Sequence, residues 1–298
     1  MTFEKIRIED KPYFDKLLSG KNYFACEYCF TNFFIWQDTL SIERAIKNDS
    51  IFVRGIYKNK RFYFYPISDK IDEALEMLLD LEGKNLEIAC AFDSILDKTS
   101  KEMLERFTFT KNISLSDYVY RAEDLIKLEG KKYHQKRNHL TKFKNSYSYE
   151  FIPMSAKDTA ICIDMKNRWA AEKEMDGPDL ERMNNESKAI ELALQYFNEL
   201  ELSGGIIKIE GSPQSFAIGE IPNKPNKKIG IVHFEKADYN FTGIFQAINQ
   251  MFSQYAFSNV EFINRQDDMG LPGLKKAKES YHPIMMINKT YMKPKVCP

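Results

Sequence analysis

Between residues 241 and 256, Phe241, Ile244, Phe245, Ile248, Met251, Phe252 and Tyr255 recur at spacings of 3, 1, 3, 3, 1 and 3, the repeat of a helix with one buried face. Gln246, Asn249, Gln250, Ser253 and Gln254 fall on the opposite side. The segment lies between two strand-like runs, IGIVHFEKA (229–237) and VEFIN (260–264). A helix joining two parallel strands makes a right-handed crossover. It starts at the carboxyl end of the first strand, where open α/β sheets bind ligands. This constraint selects a layered fold of helices on a sheet and points to one end of that sheet.

Upstream, helical patterns near 156–173 and 185–200 precede the strands GIIKIE and SFAIGEI. The turn residues Gly211-Ser212-Pro213 and Pro222 to Asn226 join these strands and IGIVHFEKA into an antiparallel meander. A short helix at 271–280 and the strand IMMINKTY follow. The first half repeats the order: helices at 10–19 and 27–38, strands LSIERAI, SIFVRGI and RFYFYPI, a helix at 69–82, strand LEIAC, a helix near 93–106 and strand SDYVYRA. Recurrence after about 150 residues matches the size of a domain, so two tandem domains, 1–147 and 148–298, are preferred over one mixed domain.

Hydrophobic residues make up 43% of the chain, with 22 Phe and 16 Tyr, which suits a folded core and excludes a disordered chain. Lys plus Arg and Asp plus Glu both number 43, so any anionic partner must be bound by a local patch. Cys26, Cys29, Cys90, Cys162 and Cys297 lie mostly in apolar segments. The C-x-x-C of Cys26 and Cys29 lacks the second half of a zinc pattern. Core thiols, no metal and a reduced, cytoplasmic setting are expected. Neither an apolar leader nor a run near the ~18 apolar residues of a membrane span is present in the sequence.

HFEKAD with TGIFQAINQMF, then FINRQDDMGLPGLKKAKESYHP, and upstream GKKYHQKRNHLTKF, resemble the bacterial family that matches the C-terminal domain of phosphatidylglycerol lysyltransferases. The resemblance covers most of the chain and is strongest over 131–145 and 229–285. It implies an α+β fold of tandem acyl-CoA N-acyltransferase-like (GNAT-like) domains, each a mixed, mostly antiparallel sheet flanked by helices, shared with Fem-type aminoacyltransferases. It also implies transfer of an aminoacyl group, with aminoacyl-tRNA as donor, to a lipid hydroxyl or other acceptor. An acyl-CoA enzyme of this fold presents a glycine-rich turn to the pyrophosphate. Here Lys236 to Gly243 offers one glycine and an aspartate, Asp238, so coenzyme A is disfavoured.

Four groups of residues are candidates for chemistry. Alternation along IGIVHFEKA puts Ile231, His233 and Glu235 on one face, so His233 or Glu235 is the candidate base, weighed against a satisfied polar pair. In Asn264 to Gly270, Asp267 and Asp268 are candidates to hold an aminoacyl ammonium, with Asp268 also a possible base. Capping of the helix opened by Leu271 and Pro272 is the alternative, and it leaves Arg265 unexplained. Lys131 to Lys144 carries six cations and two histidines without an acid, and Lys136 with Arg137 interrupts its apolar stripe of Tyr133, Leu140 and Phe143. This run is read as a contact for tRNA or lipid phosphate, against the ordinary reading of a solvated charge run. Trp169 reads as core, with a substrate platform as its alternative, and Lys173 to Asn185 as a surface loop or a lid. The leading expectation is an aminoacyl or acyl transferase with its site in the second half. An acetyl-CoA-dependent N-acetyltransferase and a non-catalytic ligand-binding module are the rivals.

Overall fold

The computed structural model describes residues 1–21, 23–171, 177–222 and 228–295, the side chains of 169–171, 177 and 178 excepted. The fold is α+β, with mixed, largely antiparallel sheet flanked by helices. Two compact units are present. The first comprises 1–117, 267–271 and 286–298, and the second 118–266 and 272–285.

In the first unit the strands Glu43–Lys47, Ser50–Tyr57 and Lys60–Phe64 form an antiparallel meander. The helix Ile71–Glu82 then crosses to Ile88–Ala91, which lies parallel to Lys60–Phe64. Ala74, Leu75 and Leu78 bury one face of this helix, and Asp72 and Glu73 sit where its N-terminal dipole favours acids. The strand from 286 to Pro294 closes the order, antiparallel to Ile88–Ala91. Cys26, Cys29 and Cys90 are buried thiols here, as is Cys162 in the second unit, whereas Cys297 lies outside the described residues.

The second unit repeats this logic. Strands Tyr149–Met154, Ser203–Ile209, Ser212–Glu220 and Ile229–Ala237 run antiparallel in sequence. The helix Ile244–Ala256 crosses to Phe262–Asn264, which is parallel to Ile229–Ala237. Residues 119–121 close this side, antiparallel to Phe262–Asn264. The core lies under the crossover helix, where Ile244, Ala247, Ile248 and Phe252 pack with Val232, Ile207 and Ala217 of the sheet and with Leu140 and Phe143 of the helix His134–Ser146.

Several elements differ from expectation. The helix expected at 27–38 is two, Phe30–Ile35 and Gln37–Leu40, because Trp36 leaves helical geometry at φ −94°, ψ 3°. That expected near 93–106 is also two, since Ser100 caps a new start at Lys101 by accepting from the Met103 N–H. The stretch 177–185, read as loop or lid, belongs to the helix Gly177–Gln195; residues 173–176 of that reading lie outside the described residues. On the crossover helix, Asn249 and Ser253 of the supposed polar side are buried, because the helix is covered by the sheet on one side and by the helices Ala122–Lys127 and His134–Ser146 on another. The two units also group residues differently from a division at 147 and 148: residues 118–147 go with the second unit and 286–298 with the first.

Candidate active site

The carboxyl ends of the parallel strands Ile229–Ala237 and Phe262–Asn264 bring Glu235 and Arg265 together in the second unit. The Val232–Phe234 register shift, a bulge at His233, moves the alternation by one residue. Val232 and Ala237 therefore both join the core under the crossover helix, and Glu235 turns to that helix as well. Its Oε2 accepts from Asn249 Nδ2 at 3.0 Å and its Oε1 from Arg265 Nη2 at 2.9 Å. Both members of the ion pair are 12% exposed. Burial works against the Arg265 charge, yet Glu235, Tyr120 and Tyr281 more than offset this and raise its pKa.

The guanidinium lies against two aromatic rings that meet edge to face, 5.0 Å from the Tyr281 centroid and 5.9 Å from that of Tyr120. Lys136 reaches the same place from the helix His134–Ser146: its Nζ lies 4.1 Å from the Tyr281 centroid and 2.6 Å from Ser280 Oγ. Burial, and then the Arg265 charge, lower the Lys136 pKa from 10.5 to about 8, against an opposing pull from Glu235. Lys278 holds the end of the strand by donating to the Arg265 and Gln266 carbonyls, the latter at 3.1 Å, and Gln266 takes a left-handed φ of +59°. Two buried polar atoms of the cluster, Arg265 Nη1 and Asn249 Oδ1, have no hydrogen-bond partner among the described residues.

The expected residues thus separate by environment. Glu235, Arg265 and Lys136 come together. His233 does not bond Glu235 beside it: Gln266 Nε2 stands 3.3 Å from His233 Nδ1, and His233 Nε2 stands 2.9 Å from Glu220 Oε1. Both ring nitrogens are thus engaged. Arg137 donates to the Leu128 and Gly130 carbonyls at 2.5 and 2.7 Å, which ties the end of the helix Ala122–Lys127. Asp267 and Asp268 fall in the first unit, where they accept from the Met269 and Gly270 N–H groups at 2.8 Å each, as turn residues do. Trp169 lies in the helix Thr159–Ala171, with its side chain outside the described residues. Lys131, Lys132, Lys142 and Lys144 are exposed, and Lys132 pairs with Asp124 at 3.0 Å.

The start of the crossover helix is closely packed. Gly243 caps it at φ +87°, and a Cβ there would stand 2.4 Å from the His139 carbonyl oxygen, so this glycine serves close packing of two helices. The Thr242 N–H just before it donates to the Tyr147 hydroxyl at 3.1 Å. A phosphate cradle would need both the space and that donor. In the first unit, Cys26 Sγ and the carboxylates of Glu27 and Asp117 lie within 4.8 Å of one another, a set of metal-ligand type. Lys289 supplies the cation there, bonded to Glu27 and, at 2.9 Å, to Asp117.

Residues 21–292 match the family described as phosphatidylglycerol lysyltransferase, C-terminal. A conserved protein of unknown function from Bacteroides thetaiotaomicron is similar at TM-score 0.91 and 28% identity, over 99% of this chain and 100% of that one. The C-terminal domain of a putative lysylphosphatidylglycerol synthetase from Agrobacterium fabrum follows at 0.67 and 12%, over 96% and 91%. L-PGS from Bacillus licheniformis is similar at 0.62 and 11%, over 89% and 92%. At the last two identities the likeness speaks for the fold. No curated protein matches the sequence. No helix among the described residues is long and apolar enough to cross a membrane.

Proposed function

This chain belongs to the phosphatidylglycerol lysyltransferase C-terminal family, and on that premise we propose that it transfers an aminoacyl group from an ester donor, such as aminoacyl-tRNA, to a hydroxyl or amine of a lipid or other acceptor. The observation that carries this reading is the pair of open valences around Glu235: a buried donor, Arg265 Nη1, and a buried acceptor, Asn249 Oδ1. An unmet buried polar group costs about 1–3 kcal/mol, so a ligand that fills both is favoured. An α-aminoacyl ester carries a carbonyl oxygen for Arg265 and an ammonium for Asn249 and Glu235, separated by three bonds through the carbonyl carbon and Cα. An acetyl group has the carbonyl and lacks the ammonium. The packed helix start at Gly243 supports a donor other than coenzyme A. The exposed lysines of 131–144 suit the phosphates of a tRNA or lipid, because such contacts are independent of sequence.

Incubating the full chain with lysyl- and alanyl-tRNA labelled in the amino acid, together with phosphatidylglycerol vesicles, lipid-free peptides and small amines, tests the proposal. Label should move to one acceptor, and Glu235→Gln or Arg265→Lys should slow the transfer at least tenfold. Absence of transfer over the panel, with acetyl transfer from acetyl-CoA in the parallel reaction, would replace this reading with its N-acetyltransferase rival.

A further inference from the structure

Ser280 makes a contact that recognition of an aminoacyl group does not require. Its Oγ lies 2.6 Å from Lys136 Nζ and 2.6 Å from the Ala277 carbonyl, to which its hydroxyl donates. Ser280 directly follows the helix Pro272–Glu279 and is half-buried, so a ligand can reach it. The ring of the next residue, Tyr281, has Lys136 Nζ at 4.1 Å and the Arg265 guanidinium at 5.0 Å. A serine, an amine and a guanidinium with an unpartnered N–H are therefore gathered around one aromatic ring.

The geometry points to a nucleophilic pair in which Ser280 Oγ accepts the acyl group as a transient ester and Lys136 is its base. The identity of the acyl group rests on the aminoacyl-ester reading; the pair itself rests on the contacts above. Burial and Arg265 supply the needed protonation state, because an amine titrating near 8 leaves about one molecule in ten with a free lone pair at pH 7. Without such a lone pair Lys136 can only donate.

The Ser280 hydroxyl turns from the Ala277 carbonyl toward neutral Lys136, and its proton passes to Nζ as Oγ bonds the carbonyl carbon of the donor ester. The carbonyl oxygen becomes an oxyanion, and the charge of Arg265, which shares the Tyr281 ring with Lys136, offsets it. Collapse breaks the bond from that carbon to the leaving oxygen, which takes the proton from the Lys136 ammonium and departs as an alcohol. The acceptor hydroxyl or amine then gives its proton to Lys136 and attacks the seryl ester, and Ser280 leaves with a proton returned from Nζ. No oxidant, reductant or metal enters the balance.

A lysine bonded near the C-terminus of a helix also serves that dipole, and that purely structural role predicts no covalent adduct. The full chain is mixed with p-nitrophenyl acetate and p-nitrophenyl lysinate, quenched in acid and weighed intact, with the modified peptide mapped. One acyl group on Ser280 and a burst of p-nitrophenol are expected, with a burst rate that rises with pH through about 8. Ser280→Ala should abolish the adduct. Lys136→Met should slow its formation by about 100-fold and remove the rise with pH. Ser280→Cys should keep the adduct as a thioester, which shows that the site is folded. A burst unchanged in Ser280→Ala, or an adduct mapped elsewhere, overturns the pair. If wild type and Ser280→Ala transfer equally from aminoacyl-tRNA, the pair fails and the proposed function stands. A Ser280 adduct without any transfer from aminoacyl-tRNA leaves the pair standing and removes the donor reading.

Discussion

Glu235 and Arg265 illustrate what a single bulge does to the partners of a side chain. Strict alternation groups Glu235 with His233, but the extra residue in Ile229–Ala237 separates their partners, Asn249 and Arg265 for one, Glu220 and Gln266 for the other. A bulge depends on the neighbouring strand, so it was not legible along the chain. Arg265, Glu235 and Lys136 were legible as unusual charges. Asn249, Tyr281 and Ser280 carried no local signal beyond their type. Because both partners of the ion pair are 12% exposed, Glu235→Ala should leave a buried cation and cost about 3–5 kcal/mol by urea unfolding. The double change Glu235→Leu with Arg265→Leu should recover more than half of it. Lys136 gives a pH signature. Its folded pKa, about 8, lies below the unfolded value of 10.5, so between these the folded state binds fewer protons and stability rises with pH. Below pH 8 the full cost of burying the charge is present. Unfolding free energy followed from pH 7 to 10.5 should climb less in Lys136→Met than in wild type.

Among the elements, the crossover helix was the most legible, because its 3.6-residue period is written locally, and Ile244, Ile248 and Phe252 are buried as the stripe requires. Its neighbours were less so. Gly243 shows in the sequence only as the one glycine of Lys236 to Gly243, whereas in the fold it lets the helix start approach the backbone at His139, a contact over a hundred residues away in the chain. Gly243→Ala meets two penalties, a left-handed φ of +87° and a Cβ at 2.4 Å from a carbonyl oxygen that belongs to backbone. A loss of about 2 kcal/mol or more is expected, read as a lower urea midpoint with an unchanged slope. Gly211→Ala is the control: it has a similar φ, +81°, but nothing within 4 Å of the added Cβ, so it should cost clearly less.

For the chain as a whole, the two runs of elements were readable as similar halves, yet the terminal strand of each half groups with the other half's meander. Residues 119–121, at the end of the first run, pair with Phe262–Asn264, and Thr290 and Met292, at the end of the second, pair with Ala91 and Ile88. Hydrophobic period and turn chemistry identify a strand but not its partner, so this pairing could not be read from the sequence. It has a consequence for fragments. A piece cut at 148–298 loses the strand beside Phe262–Asn264 together with the helix His134–Ser146, and it keeps a strand at 286–294 whose partner, Ile88–Ala91, is missing. An open edge and an unpaired strand favour association over folding. A piece spanning 118–285 retains every paired strand of the second unit and the core around Phe143, Ile248 and Phe252. The longer cut should therefore give dispersed amide resonances and a cooperative urea transition, while 148–298 should aggregate or give collapsed spectra. Equal cooperativity of the two pieces would show that residues 118–147 are dispensable to the second unit, and would return the boundary to 147 and 148.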